Sequence, residues 1–323
     1  MFRIFSSSDK PKAYKIIFQY SGFVPEIQVK VAEMRTRKPI VADQFYPGQR
    51  NSCISEIEEC LQARAVGQSL PEKIVAGIVP HAGWFFSGST AAMVFSAIKQ
   101  RQKEITTFII FGAAHGYFGP MAALDDSESW ETPLGDAAVD TDLAEQLVNK
   151  KLAVKNSSAH RGEHSIEVQV PFIQYLFPNA QILPIIVPPG EKAILLGESI
   201  GDIITELGKT IICIGSTDLT HYGPRYGFTP VGIGPDAIRW AGEVNDRKFT
   251  DLALKMDPKG MLASAAENCN ACGPGAAAAT IAAAKRLGKN TGQLLKHTNS
   301  NEVMLRKMGR SSTDSVGYAA IIY

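Results

Sequence analysis

A chain of 323 residues, 45% hydrophobic and 20% charged, has ordinary globular chemistry and is long for one core but within reach of a large α/β domain. Its net charge of +1 leaves no basic footprint for nucleic acid and no acidic tail, so no nucleic-acid partner is expected. No stretch approaches the roughly 20 apolar residues of a membrane span, the first residues lack the apolar core and cleavage site of a secretory signal, and the five cysteines have no framework spacing, so Cys53, Cys60 and Cys213 read as buried thiols of a reducing, cytoplasmic compartment.

Residues 1–34 read as an N-terminal extension, an arm, a linker or the product of an upstream start. Within it KAYKIIFQYSGFV offers a strand or an edge hairpin. Met34 precedes RTRKPIVADQFYP, where the patterned part begins, so 35–323 is expected to form a single α/β domain. NSCISEIEECLQARA reads as an amphipathic helix with Asn51 or Ser52 as its cap. KIVAGIV is a buried strand ended by Pro80 and His81, with Ala82 and Gly83 turning into the aromatic patch Trp84, Phe85 and Phe86. STAAMVFSAIKQ is a second helix, capped by Ser89 or Thr90. Ile105 to Phe111 is a strand, and VDTDLAEQLVNK a helix opened by Asp140 or Thr141.

HSIEVQVPFIQYLF is helical, and Pro171 either bends it or opens its regular part. QILPIIV and TIICIG are strands around the helix AILLGESIGDIITEL. IRWAGEVNDRKFTDLALKM reads as one longer helix. GPGAAAATIAAAKRL is a small-residue helix that can pack very close to its neighbours, with Pro274 in its first turn, and SVGYAAIIY is a closing strand. The alternation predicts a layered α/β fold, a central and mostly buried sheet flanked by helices.

Three of the six histidines sit just past an apolar run: His81, His115 at the end of FIIFGAAH, and His221 at the end of IICIGSTDLTH. Open α/β sheets collect ligands at the carboxyl ends of their strands. One histidine there reads as a core or surface residue, whereas three in equivalent places point to a site. Imidazole suits iron, zinc, copper and nickel. Two histidines need a further ligand, and Asp218, His221, His164, Glu167 and Cys272 are the candidates. Cys272, ahead of the small-residue helix, gains thiolate character from the helix N-terminus and is a ligand, a nucleophile or an inert loop thiol. Cys269 and Cys272 form a single C-x-x-C, which without a second pair defines neither a zinc nor a redox site. Asp218, three residues before His221, fixes that imidazole's tautomer or caps the next turn. Glu163, His164 and Glu167 of EHSIE lie near a helix start, as capping residues or as ligands. His160 and His297 read as surface residues.

Together RKPIVADQFYPG, IVPHAGWFFSGSTAA, FGAAHG, WETPLGDAAVDTDLA, EHSIEVQVPFIQYLF, ILPIIVP, STDLTHYGPRYGF and NACGPGA resemble the Memo family. That family is named for a mediator of ErbB2-driven cell motility and includes the AmmeMemoRadiSam system protein B relatives of bacteria and archaea. The motifs run in family order from about Arg37 to the end of the chain.

The resemblance implies a fold similar to class III extradiol dioxygenases, which hold non-haem Fe(II) with two histidines and a carboxylate, a cysteine standing at the carboxylate position in Memo proteins. It carries over His81, His115 and Cys272 as metal ligands and His221 as an acid/base with Asp218 beside it. Trp84, Phe86, His164 and Glu167 are then expected to line the pocket. Fe(II) is expected first, copper or zinc next, since a thiolate favours softer ions and is itself open to oxidation. Trp84, Phe85 and Phe86 stand where many relatives carry tyrosines, and Pro274 where many carry an arginine, which removes an anion-binding guanidinium. Three functions follow as expectations: a metal-dependent, dioxygenase-like oxidoreductase; a non-enzymatic protein holding an ion or a partner peptide in a degenerate pocket; and a hydrolase with Cys272 as nucleophile and His221 as base. The ligand is a small molecule or a peptide.

Overall fold

Runs such as TFIIFG and IICIGS leave no face fit for water, and every residue of both is buried. The computed structural model describes residues 14–17, 30–33, 35–62 and 69–323. Among the described residues these runs form the middle of a nine-stranded sheet. In chain order its strands are β1 (Ala76–Val79), β2 (Thr107–Gly112), β3 (Ala122–Leu124), β4 (Ala153–Lys155), β5 (Gln181–Ile186), β6 (Ile211–Ser216), β7 (His221–Tyr222), β8 (Gln293–Asn299) and β9 (Ser315–Ile322). The spatial order is β7-β9-β1-β6-β2-β5-β3-β4, with β8 also on β9. β6 pairs in parallel with β1 on one side and β2 on the other, with Cys213 level with Ala76 and with Ile109. β5 continues the parallel set beside β2. The expected layered α/β architecture is therefore present.

Two glycines show the layers. Gly77 leaves room for Val94 of the Trp84–Arg101 helix, and Gly215 for Thr280 of the Pro274–Arg286 helix. Gly215 is level with Ile78, one residue along from Gly77, so the two glycines face opposite sides of the sheet. One helix thus covers each face. The small-residue helix is buried from Gly275 to Ala284 and meets the Glu191–Leu207 helix at Gly197, where a side chain would strike the Ala279 carbonyl.

Several local expectations shift. The Trp84–Arg101 helix opens at the aromatic patch, ahead of Ser89 and Thr90, because the Trp84 amide finds the Phe45 carbonyl at 2.7 Å in place of a side-chain cap. The first helix starts at Arg50, which puts Asn51 and Ser52 inside its first turn; its expected end at Ala65 lies outside the described residues. Asp140 caps as read, accepting from the Leu143 amide at 3.0 Å. Pro171 opens the regular helix Val170–Leu176 after a 3₁₀ turn.

The long helix after Gly234 divides into Pro235–Trp240, a π-helical turn Ala241–Asp246 and Arg247–Leu254. The widened turn ends on the buried Asp246, whose carboxylate takes the Thr220 amide and the His297 ring, both at 2.9 Å. His297 is therefore half-buried and hydrogen-bonded to Asp246. His160 is fully buried, its Nε2 2.9 Å from the Ala123 carbonyl and its ring edge-on to Trp130. Neither is the surface residue its polar neighbours predict. In the extension Tyr14–Ile17 pairs antiparallel with Lys30–Glu33; the rest of it, Met34 included, lies outside the described residues. Among the described residues no helix is long and apolar enough to cross a membrane.

Candidate metal centre

Because β1, β6 and β2 are adjacent and parallel, the loops leaving their carboxyl ends emerge side by side. His81, Asp218 with His221, and His115 leave these three strands. Cys272 arrives from the other side of the sequence, between the Pro258–Asn268 and Pro274–Arg286 helices. Its amide bonds the Asp218 carbonyl at 3.2 Å, and the Gly273 amide bonds Thr217 Oγ1 at 2.9 Å. A side chain at Gly273 would meet the Ser216 carbonyl, so only glycine lets this loop close on β6.

One donor atom each from His81, His115 and Cys272 fits within 4.8 Å of the others. That is the span of ligands bound at about 2.0–2.3 Å from one centre. Ser216 Oγ gives its only proton to the Ser165 carbonyl at 2.7 Å, so toward His81 Nδ1, 3.1 Å away, it can only accept. Nδ1 of His81 therefore carries the hydrogen, and its Nε2 lone pair faces Cys272 Sγ at 3.2 Å. Gln169 Nε2 clamps the same serine at 3.2 Å and the Pro80 carbonyl at 2.8 Å. His115 Nδ1 lies 3.0 Å from Glu163, which also takes the His115 amide at 3.2 Å and the Ser165 amide at 2.7 Å. The carboxylate holds the proton on Nδ1 and leaves Nε2 as the free donor. Buried partners of this kind orient metal-binding imidazoles.

Burial sets most of the electrostatics. It lowers the His81 pKa well below the ordinary value, helped by neighbouring His115 and His164. It also lowers His164 and His221, and it raises Asp218. At His115 burial acts downward, but the Glu163 hydrogen bond and charge outweigh it and the pKa ends raised. Glu163 is the mirror case: burial acts upward, and His115 and the Ser165 amide bring its carboxyl far below the usual range. Burial pushes the Cys272 thiol up, assisted by the Asp218 charge. The helix N-terminus was expected to favour the thiolate, and in the protein without an ion desolvation overrides it.

The remaining residues divide. His164 stacks parallel on His115 at 5.1 Å and stands edge-on to His81 at 5.4 Å, so it belongs to the imidazole cluster. His221 borders a cavity of about 490 Å³ with Tyr226, Phe228, Cys269 and Cys272. Its Nε2 is buried without a hydrogen-bond partner, 3.9 Å from Asp218 Oδ2. Asp218 itself takes the His81 amide at 2.7 Å.

Two pocket expectations are corrected. Trp84 lies in the core against Phe172 at 4.4 Å, its indole nitrogen donating to the Val168 carbonyl at 3.0 Å. Glu167 is turned away from the cluster and binds Arg37 at 2.7 Å, the Ile40 and Val41 amides and the Tyr46 hydroxyl. Phe86 meets the ring of Phe85 edge-on at 4.9 Å. Sequence reasoning did not select Glu163, Ser216, Gln169 or Tyr226 for the site; only Glu163, adjacent to His164, carried a signal.

Fold and site together define an α/β protein with a two-histidine, one-cysteine donor cluster where its central parallel strands end. The Memo-like protein family model matches residues 37–322, and the chain belongs to that family. It is 37% identical over 296 residues to a MEMO1 family protein of Thermococcus onnurineus, covering 89% of this chain and 99% of that protein. A MEMO1 family protein of Pyrococcus abyssi is 36% identical over 88% of this chain and 98% of its own length. One from Methanosarcina mazei is 34% identical over 90% and 99%. Among solved structures, an uncharacterized protein of Escherichia coli K12 aligns with 76% of this chain and 99% of its own at 13% identity, with a TM-score of 0.45.

Proposed function

We propose that this Memo family chain is a metal-binding protein in which His81, His115 and Cys272 hold one ion, iron(II) first and copper or zinc next, for the oxidation of a small molecule. The observation that supports this reading is the pair of fixed tautomers. Ser216 and Glu163 each occupy an Nδ1, which leaves Nε2 of each imidazole as the remaining ligand atom, and that of His81 lies 3.2 Å from the Cys272 sulfur. Two imidazoles and a thiolate suit a borderline to soft ion. When bound, such an ion supplies a Lewis-acidic, redox-active centre with positions left open by its three protein ligands. His221, held neutral by burial, takes up or returns a proton at Nε2, and Asp218 balances the charge that this creates. The rings of Phe228 and Tyr226 form part of the cavity wall beside it.

The hydrolase reading is less well supported. It needs a thiolate, whereas burial pushes the thiol up; the sulfur has donor atoms of both Asp218 and His221 within 4.8 Å, but its nearest imidazole contact is His81 Nε2 at 3.2 Å. The test is metal analysis after anaerobic purification. About one equivalent of iron or copper is expected, lost in His81→Ala with the fold retained by circular dichroism. Metal-free wild-type protein whose Cys272 is rapidly alkylated would sink the proposal.

A further inference from the structure

Beside the loop that follows His115 lies a hollow of about 860 Å³, the size of a small-molecule site. Its floor belongs to the core: Ala122, Val187, Ala193 and Leu196 are each 6% exposed or less. The floor is also fixed. The Val187 amide bonds the Gly112 carbonyl at 3.0 Å, and a side chain at Gly275 would strike the Val187 and Pro188 carbonyls. Phe118, 91% exposed, and Leu195, 57% exposed, stand on the rim. Aliphatic below and apolar at its edge, the hollow takes an apolar body.

The charges decide what that body carries. Lys151 and Lys192 border the hollow, and neither joins an ion pair among the described residues. Lys192 Nζ lies 3.5 Å from Met121 Sδ, a weak acceptor. The Glu191–Leu207 helix opens at Gly190 with no side-chain cap, and its first-turn amides find no acceptor within the helix. Gly190 borders the hollow, and the space over it is open. Against these stands Glu191, whose place in the first turn suits the helix dipole. Two lysines and one glutamate still leave the rim one charge positive. An alcohol would leave both ammonium groups unanswered, and an amine would add to them. We infer that the hollow binds a small apolar monocarboxylate, its body over Val187 and Leu196 and its carboxylate at Lys192 and the helix start. Ala114 borders the hollow one residue before His115, so a bound acid would press on the loop that carries that imidazole. The inference is independent of the metal proposal, because none of His81, His115 and Cys272 lines the hollow.

Isothermal titration of the full chain with decanoate, kept below its micelle range, tests this. About one equivalent is expected to bind, with decanol and decylamine each about tenfold weaker or more. Lys151→Ala combined with Lys192→Ala, both at exposed positions, is expected to cost decanoate about tenfold and decanol nothing. Leu195→Asp is expected to weaken acid and alcohol alike, about tenfold or more. His81→Ala, from which the ion should be lost, is expected to bind decanoate as the wild type does, so failure of the metal centre leaves this result intact. No binding, or decanol or decylamine held as tightly as decanoate, overturns the inference. So does loss of decanoate binding in His81→Ala, or binding that appears only with vesicles of anionic phospholipid.

Discussion

Glu163 and Glu167 stand four positions apart in one short motif, and both are buried. Glu163 takes the ring and amide of His115 and so leaves that imidazole's other nitrogen bare. Glu167 takes Arg37, two amides and a tyrosine hydroxyl and so fastens the leading segment to the core. The two regions touch, since Arg37 also donates to the Glu163 carbonyl at 2.9 Å. Neither residue type nor position in the motif separates a site carboxylate from a folding carboxylate. The partner delivered from elsewhere in the chain does.

The largest effect is expected at Glu167. Glu167→Ala takes the counter-charge from a guanidinium that is only 9% exposed and an acceptor from two amides and a hydroxyl, so urea unfolding should register a loss of about 3–5 kcal/mol. A loss below about 1 kcal/mol would erase the distinction. Glu163→Gln should instead weaken metal binding about 10–100-fold in titration, with a smaller change in stability. Unaltered affinity would move Glu163 to the folding side.

The pH dependence sharpens the contrast. The folded Glu163 carboxyl lies below its ordinary 4.5, so its stabilisation is full above that value and is lost as pH falls through the folded pKa. His115 lies above its ordinary 6.5, so its share is full below 6.5 and is lost as pH rises through the folded pKa. In the metal-free protein the stability gap between wild type and Glu163→Gln should therefore be widest between about pH 4.5 and 6.5 and close on either side. Thermal melts across that range measure it. The smallest effect is expected beside Arg37. Lys38, 72% exposed in its pair with Glu131, should cost no more than about 0.2–1 kcal/mol when changed to alanine.

Much of the frame was legible. Continuous apolar runs announced β1, β2, β5, β6 and β9, and the histidines that follow three of them, β1, β2 and β6, gather at one side because parallel neighbours finish on one edge. Cys272 was one of five candidates on residue chemistry and was singled out only by family likeness. What stayed hidden depended on contacts distant in sequence. Ser216 fixes His81 across 135 positions, and Glu163 fixes His115 across 48. Trp84 is expected in the pocket because it stands where many relatives carry tyrosines, yet the helix begins at it and turns it into the core. His160 and His297 looked exposed because their flanks are polar, while the groups that bury them, Trp130 and Asp246, come from other elements. The π-helical turn has no period of its own that a helical pattern would reveal.

His81 and Cys272 are separated by 191 positions, so the donors meet only after the central strands and the last helices have assembled. An ion held there has no comparable grip on the unfolded chain. Its free concentration would act as a brace on the whole molecule, adding about 2.7 kcal/mol at a hundredfold excess over its dissociation constant. Melting temperature would then read out how much metal the surroundings supply.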